Sequence, residues 1–139
     1  MTTGTNDYAE RAASAFNRRD LEAMLALVSE DVIYFDGVGI QTGLEAMHKR
    51  RRALLAAFPD AKMNLSPFVA TDDRLALTVF LSGTFTAPLV VSGRVIPPHG
   101  RHITLYYAAH LTFRNGLVIR EEVFFDSVVL MPLADQSEE

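Results

Sequence analysis

Ile96-Pro97-Pro98-His99-Gly100 leads into a long alternating run that ends at Ala109-His110. Asn115-Gly116 separates it from a second run ending at Phe124-Phe125-Asp126. Both runs alternate with a period of two, the signature of strands, so side chains two apart share a face. Asn-Gly between two such runs marks a hairpin. Tyr106, Ala108, His110 and Thr112 share one face of the first strand; Arg120, Glu122, Phe124 and Asp126 share one face of the second. Pairing across the turn brings a histidine and carboxylates to one side of a sheet. An imidazole and a carboxylate among aromatic rings are parts for proton transfer. The same residues also suit the wet face of an ordinary antiparallel sheet. The pattern alone leaves both readings open.

Upstream, the pattern is helical. Asn6 or Asp7 can cap a first helix whose buried stripe is Tyr8, Ala12 and Phe16. Asn17-Arg18-Arg19-Asp20 breaks it, and Asp20 can cap a second helix from Leu21 to Val28, ended by Ser29-Glu30-Asp31. Val32 to Asp36 then alternates as a strand, with Val32, Tyr34 and Asp36 on one side. Thr42 is placed to cap a third helix, from Gly43 or Leu44 to about Phe58, which stops before Pro59. His48 and Arg51 fall within its apolar stripe, either at the rim of a pocket or snorkelling outward. Snorkelling is the expectation for Arg51; His48 stays open.

After Pro59 the chain reads as strand: Lys62 to Ala70, a turn at Asp72-Asp73, a long run to Phe85, and then the hairpin above. Helices followed by an antiparallel meander predict an α+β fold, three N-terminal helices packed on a strongly curved, mostly antiparallel sheet. Such a sheet leaves an apolar hollow beneath the helices, where ligand sites form. The 139 residues are expected to make a single domain over 1–139, with frayed ends at about 1–5 and 134–139.

Composition narrows the function classes. Hydrophobic residues make up 49% and charged residues 22%, the balance of a globular domain. No apolar run reaches the ~20 residues of a membrane span, so no membrane association is expected. The polar start, Met1 to Asp7, lacks a signal-peptide layout, and without cysteine there is no disulfide framework or thiolate ligand. A cytoplasmic protein is the expectation. A net charge of -4 argues against nucleic-acid binding. The basic run Lys49-Arg50-Arg51-Arg52 fans around a helix rather than forming one stripe. His99 and His102 flank a turn without a third ligand at metal-site spacing, so no metal is expected.

Several motifs in order carry a family resemblance. They are Phe16-Asn17-Arg18-Arg19-Asp20-Leu21, Glu30-Asp31-Val32, Ala57-Phe58-Pro59-Asp60, Ile96-Pro97-Pro98-His99-Gly100-Arg101, and Phe113-Arg114-Asn115-Gly116-Leu117-Val118 leading to Phe125-Asp126. With them the chain resembles SnoaL-like polyketide cyclases of the nuclear transport factor 2-like superfamily, which also includes ketosteroid isomerase. The resemblance implies a cone-shaped α+β barrel and a cofactor-independent cyclase or isomerase. Its substrate would be a small hydrophobic, polyketide-like carbonyl compound, and its partner a second copy in a homodimer. Residue by residue it implies Asp126 as the acid/base, His110 as the oxyanion donor and Asp36 as a further base. Alanine at position 12, where the isomerase has a tyrosine, speaks against steroid isomerisation. Tyr106 to His110 lacks the arginine–aspartate pair of the epoxide hydrolases of this fold.

The chemistry these parts support is proton abstraction beside a carbonyl, followed by intramolecular aldol closure. A carboxylate in an apolar hollow has its pKa raised by desolvation, which suits it to that task. His110 and Asp126 are expected to point into the hollow, with Tyr34, Tyr106 and Phe124 lining it. Glu122 either reaches ligand, pairs with Arg120 or His110, or lies outside; Glu121 faces the other way. The alternative is a non-catalytic module of the same fold that binds a small molecule or a partner.

Overall fold

The computed structural model describes residues 4–35, 39–91 and 93–125. The elements run α1 (Gly4–Asn17), α2 (Leu21–Leu25), β1 (Val28–Phe35), β2 (Ile40–Thr42), α3 (Leu44–Ala57), β3 (Lys62–Ala70), β4 (Arg74–Thr84), β5 (Leu89–Val91), β6 (Arg94–Ile96), β7 (His102–Arg114) and β8 (Leu117–Phe124). A six-stranded sheet has the order β2-β1-β8-β7-β4-β3, and β5 with β6 forms a separate ribbon. Among the described residues, only the β1–β8 pair in the larger sheet is parallel. The fold is the expected α+β cone, three helices against a curved, mostly antiparallel sheet.

Local chemistry explains the junctions. Asp20 caps α2, its Oδ1 accepting from the Ala23 N–H at 3.1 Å. Asn17 binds the β3 backbone like a neighbouring strand, donating to the Met63 carbonyl at 3.0 Å and accepting from the Met63 N–H at 2.8 Å. Asp60, past the end of α3, accepts from the Thr84 N–H at 2.7 Å and from its hydroxyl at 2.8 Å. At Asn115 and Gly116, φ is 55° and 80°, the two left-handed residues of a tight hairpin turn.

Several boundaries differ from the expected ones. Strand β1 starts at Val28, four residues early, and α2 is correspondingly short. Val28 is buried and pairs with Val118, while the polar Ser29-Glu30-Asp31 fall in an irregularity of that pairing. Thr42 does not cap α3; the cap position is Gly43, at φ 95°, whose N–H donates to the Val32 carbonyl at 2.8 Å. Residues 4 and 5 belong to α1, with Thr5 buried, so that part of the expected fray is helix. Asp36, Asp126 and residues 134–139 lie outside the described residues.

Two apolar clusters fill the inside of the cone. One joins Tyr8 and Ala12 to Leu77, Ala109, Leu111 and Val123; the other surrounds Phe16, Phe58 and Phe85. In the second, Phe58 stacks on Phe85 with centroids 5.0 Å apart. Gly83 runs against this end: a Cβ there would sit 3.1 Å from Phe58 Cβ and 3.2 Å from Ala61 Cα. Among the described residues, no helix is long and apolar enough to cross a membrane.

Candidate active site

The hollow takes its walls from the opposite faces of β7 and β8 to those expected. Leu105, Ala109, Leu111 and Phe113 of β7 are buried inside the cone, and Tyr107 packs against both clusters. Tyr106 is 68% exposed and Phe124 56%, both on the outer face. His110 and Glu122 share that outer face, directly opposite one another across the hairpin. His110 Nδ1 lies 3.0 Å from Glu122 Oε1, and Arg120 donates to Glu122 Oε2 at 3.4 Å. Of the expected open choices for Glu122, the structure has the pair with both His110 and Arg120.

The physical reason is twofold. The face of β7 with the larger apolar area faces the helices, because burial is driven by apolar area. On β8, one extra residue, Ile119, lies between the pairs Thr112↔Arg120 and Phe113↔Val118. Such a bulge inverts the alternation beyond it. Val118 is therefore inside, Ile119 and Arg120 both lie outward, and Glu121 returns inside with Val123.

Glu121 is 6% exposed. Its Oε1 meets Arg51 Nη2 at 3.5 Å, so Arg51 turns inward instead of snorkelling. Helical spacing explains this: Arg51 sits one turn beyond the buried Met47 and shares its face, whereas His48 is rotated about 100° away and does not line the cavity. Arg51, Glu121, Tyr8, Tyr34 and Tyr107 line a cavity of about 40 Å³ with apolar residues such as Leu77 and Val123. Its closed part is the space of a water or two, and the cavity opens toward solvent. Tyr34 is the expected site residue that the structure does bring here. It pairs with Glu121 across the parallel β1–β8 ladder, and its hydroxyl accepts from Arg50 Nε at 3.0 Å.

Burial decides the charge states of these groups. Desolvation first, and then the Glu121 charge, pushes the Tyr8 and Tyr34 phenols above the ordinary tyrosine range. Desolvation and the neighbouring Tyr34 push Tyr107 the same way. All three are neutral O–H donors at any physiological pH. Burial works against the Arg51 charge, but Glu121 and, after it, Tyr34, Tyr8 and Tyr107 together outweigh burial, and the guanidinium stays protonated. Outside, hydrogen bonding from His110 holds the Glu122 carboxyl below its usual range.

Sequence reading missed Tyr8, Arg51, Tyr107 and Glu121 as members of one site. Two signals pointed to the charged pair: Arg51 four residues after Met47 on one helix, and Glu121 in alternation with Val123 and Phe125. Among the described residues, no group of three His, Asp or Glu side chains is arranged to hold a metal ion.

Comparison with known proteins agrees with the fold. No curated protein matches the sequence. A proposed polyketide cyclase from Silicibacter sp. TM1040 superposes with a TM-score of 0.73 at 26% identity, over 93% of this chain and 94% of that one. A proposed SnoaL-like polyketide cyclase from Jannaschia sp. CCS1 gives a TM-score of 0.79 at 16% identity, over 93% and 90%. A proposed hydroxylase from Streptomyces galilaeus, AclR, gives 0.75 at 22% identity, over 94% and 97%. The model of the SnoaL-like domain matches residues 9–121, and the chain belongs to that family.

Proposed function

We propose that the protein is a cofactor-independent enzyme of the cyclase or isomerase type, moving a proton on a small hydrophobic carbonyl compound within the hollow. The observation that carries this reading is a carboxylate, Glu121, on the wall of an apolar cavity beside Arg51 and neutral phenols. Glu121 removes the proton next to the carbonyl. The O–H groups of Tyr8 and Tyr107 donate to the oxygen on which negative charge develops, which water-excluded donors do far better than solvent. Return of the proton to another atom completes an isomerisation; attack of the enolate carbon on a second carbonyl completes an aldol closure. The resemblance assigns acid–base work to Asp126 and Asp36 as well, and His110, facing outward, is not part of this mechanism. The proposed cyclases among similar structures support the reaction class.

The test is proton exchange. A β-diketone probe in D₂O, followed by NMR, should exchange its acidic C–H faster with protein present, and Glu121→Gln should remove about 10²-fold or more of that acceleration. Unchanged exchange in Glu121→Gln, with Asp36→Asn and Asp126→Asn also silent, would leave a binding module.

The outer face serves assembly in this reading. Phe80 and Tyr106 are exposed with ring centroids 4.6 Å apart, and Phe124 is exposed on the same face. An aromatic patch of this kind favours a cover, and the resemblance makes it a second copy. Light scattering should give a dimer mass, and Tyr106→Glu should give a monomer; a monomeric wild type would overturn the pairing.

A further inference from the structure

Donors and acceptors inside the hollow do not balance. Arg51 brings five N–H donors, and its side chain is only 14% exposed. Its single hydrogen-bonding partner among the described residues is Glu121 Oε1, at 3.5 Å. Charge-assisted bonds of this type ordinarily close to about 2.7–2.9 Å, often through both prongs of the guanidinium fork. The other N–H groups of a guanidinium held by one long contact face the cavity, where they are available to a further acceptor. The phenols add to the excess. Tyr34 accepts from Arg50, which leaves its own O–H to donate. Tyr8 and Tyr107 also line the cavity. Against these donors the described wall offers one carboxylate.

We propose that the hollow recognises a ligand with an ionised oxygen, a carboxylate or an acidic enol. That oxygen enters the closed end of the cavity at the open side of the Arg51 fork, while Glu121 keeps its contact on the other and the body of the ligand lies in the cavity's mouth. This deepens the proton-transfer reading by naming the charge of its substrate, and rests on that reading for the hollow being the substrate site. With the ionised oxygen held on Arg51, the phenols are left for a separate carbonyl of the same ligand, and the carbon beside that carbonyl is the one Glu121 deprotonates. The two negative charges, on ligand and Glu121, are bridged by one guanidinium. Two consequences follow that a merely structural Arg51–Glu121 pair would not produce. A neutral isostere of the ligand binds worse, and neutralising Glu121 improves anion binding.

The experiment compares benzoate with benzamide, equal in shape and different in charge, by NMR titration at low salt. Chemical shifts of the Ala109 and Val123 methyls report the location. Wild type should prefer benzoate by about tenfold or more. Arg51→Lys, which keeps the charge and loses the fork, should shrink that preference, and Arg51→Met should abolish it. Glu121→Gln should tighten benzoate binding several-fold. A cyclic 1,3-diketone, ionised as its enolate at neutral pH, separates the two sources: binding by it as well as benzoate marks any acidic oxygen, and binding by benzoate alone marks a carboxylate. Equal affinity for benzoate and benzamide in the wild type would overturn the proposal, as would weaker benzoate binding in Glu121→Gln. Should Arg51→Met not fold, Arg51→Lys and Glu121→Gln still decide. None of these measurements needs turnover, so an anion preference with unchanged proton exchange in Glu121→Gln, Asp36→Asn and Asp126→Asn would sink the proposed reaction and leave the ligand class standing.

Discussion

Glu121 on the inner face of β8 pairs with Arg51 at side-chain exposures of 8% and 14%; Glu122 on the outer face pairs with His110 and Arg120 at 22%, 30% and 43%. They are consecutive along the chain, and the thickness of the sheet separates them in space. The inner pair has one long contact and apolar neighbours. The outer set has two contacts and access to water. A carboxylate becomes chemically useful through its surroundings more than through its partners, because desolvation multiplies every charge interaction around it.

The proton-exchange rate gives the largest expected contrast. Glu121→Gln should cost about 10²–10⁴-fold, and Glu122→Gln should stay within about twofold of wild type. A comparable loss from both would mean the two faces are not separate, and the comparison would break there.

Stability comes next. Arg51→Ala strands a buried carboxylate and should cost about 3–5 kcal/mol in urea denaturation. Arg120→Ala removes one contact of a solvated set and should cost less than about 1 kcal/mol. Similar costs for the two would show that the inner pair is wetter than its burial indicates.

The smallest effect is the pH dependence of the outer pair. The folded Glu122 carboxyl titrates below its ordinary range, chiefly through the hydrogen bond from His110. Its contribution is therefore present above the unfolded-state value, about pH 4.3, and is lost as pH falls through the folded value. Thermal melts of wild type and Glu122→Gln should differ most near neutral pH and converge toward pH 3. Solvent screening keeps the difference small. A gap that widens in acid would reverse the sign and refute the assignment.

Much of the fold was legible in the sequence because its signals are local. The Asp20 cap, the helix ending before Pro59, the turn at Asp72-Asp73 and the Asn115-Gly116 hairpin each depend on a few adjacent residues. Even the His110–Glu122 pairing was among the readings the alternation allowed. The choice of face was not local. His110 and Asp126 drew attention to the more polar side of the strands, whereas Leu105, Ala109, Leu111 and Phe113 mark the side with more apolar area to bury. The bulge at Ile119 has no residue signature; it shows only in how β8 pairs with β7. Arg51 showed a third limit: an arginine in an apolar stripe snorkels unless an acid waits inside, and that acid lies seventy positions away.

The parallel β1–β8 pair has a consequence for how the protein folds. It sets Tyr34 beside Glu121, whereas the ladders from β3 through β8 join sequence neighbours or strands separated by one short ribbon. Closing the loop between Tyr34 and Glu121 costs more chain entropy than closing any hairpin in the sheet. Long-range pairings of this kind form late. The meander can therefore zip before the two sides of the hollow meet, and the chemically capable part of the molecule is assembled last. Backbone amides of β1 should consequently gain hydrogen-exchange protection after those of β4 and β7 during refolding.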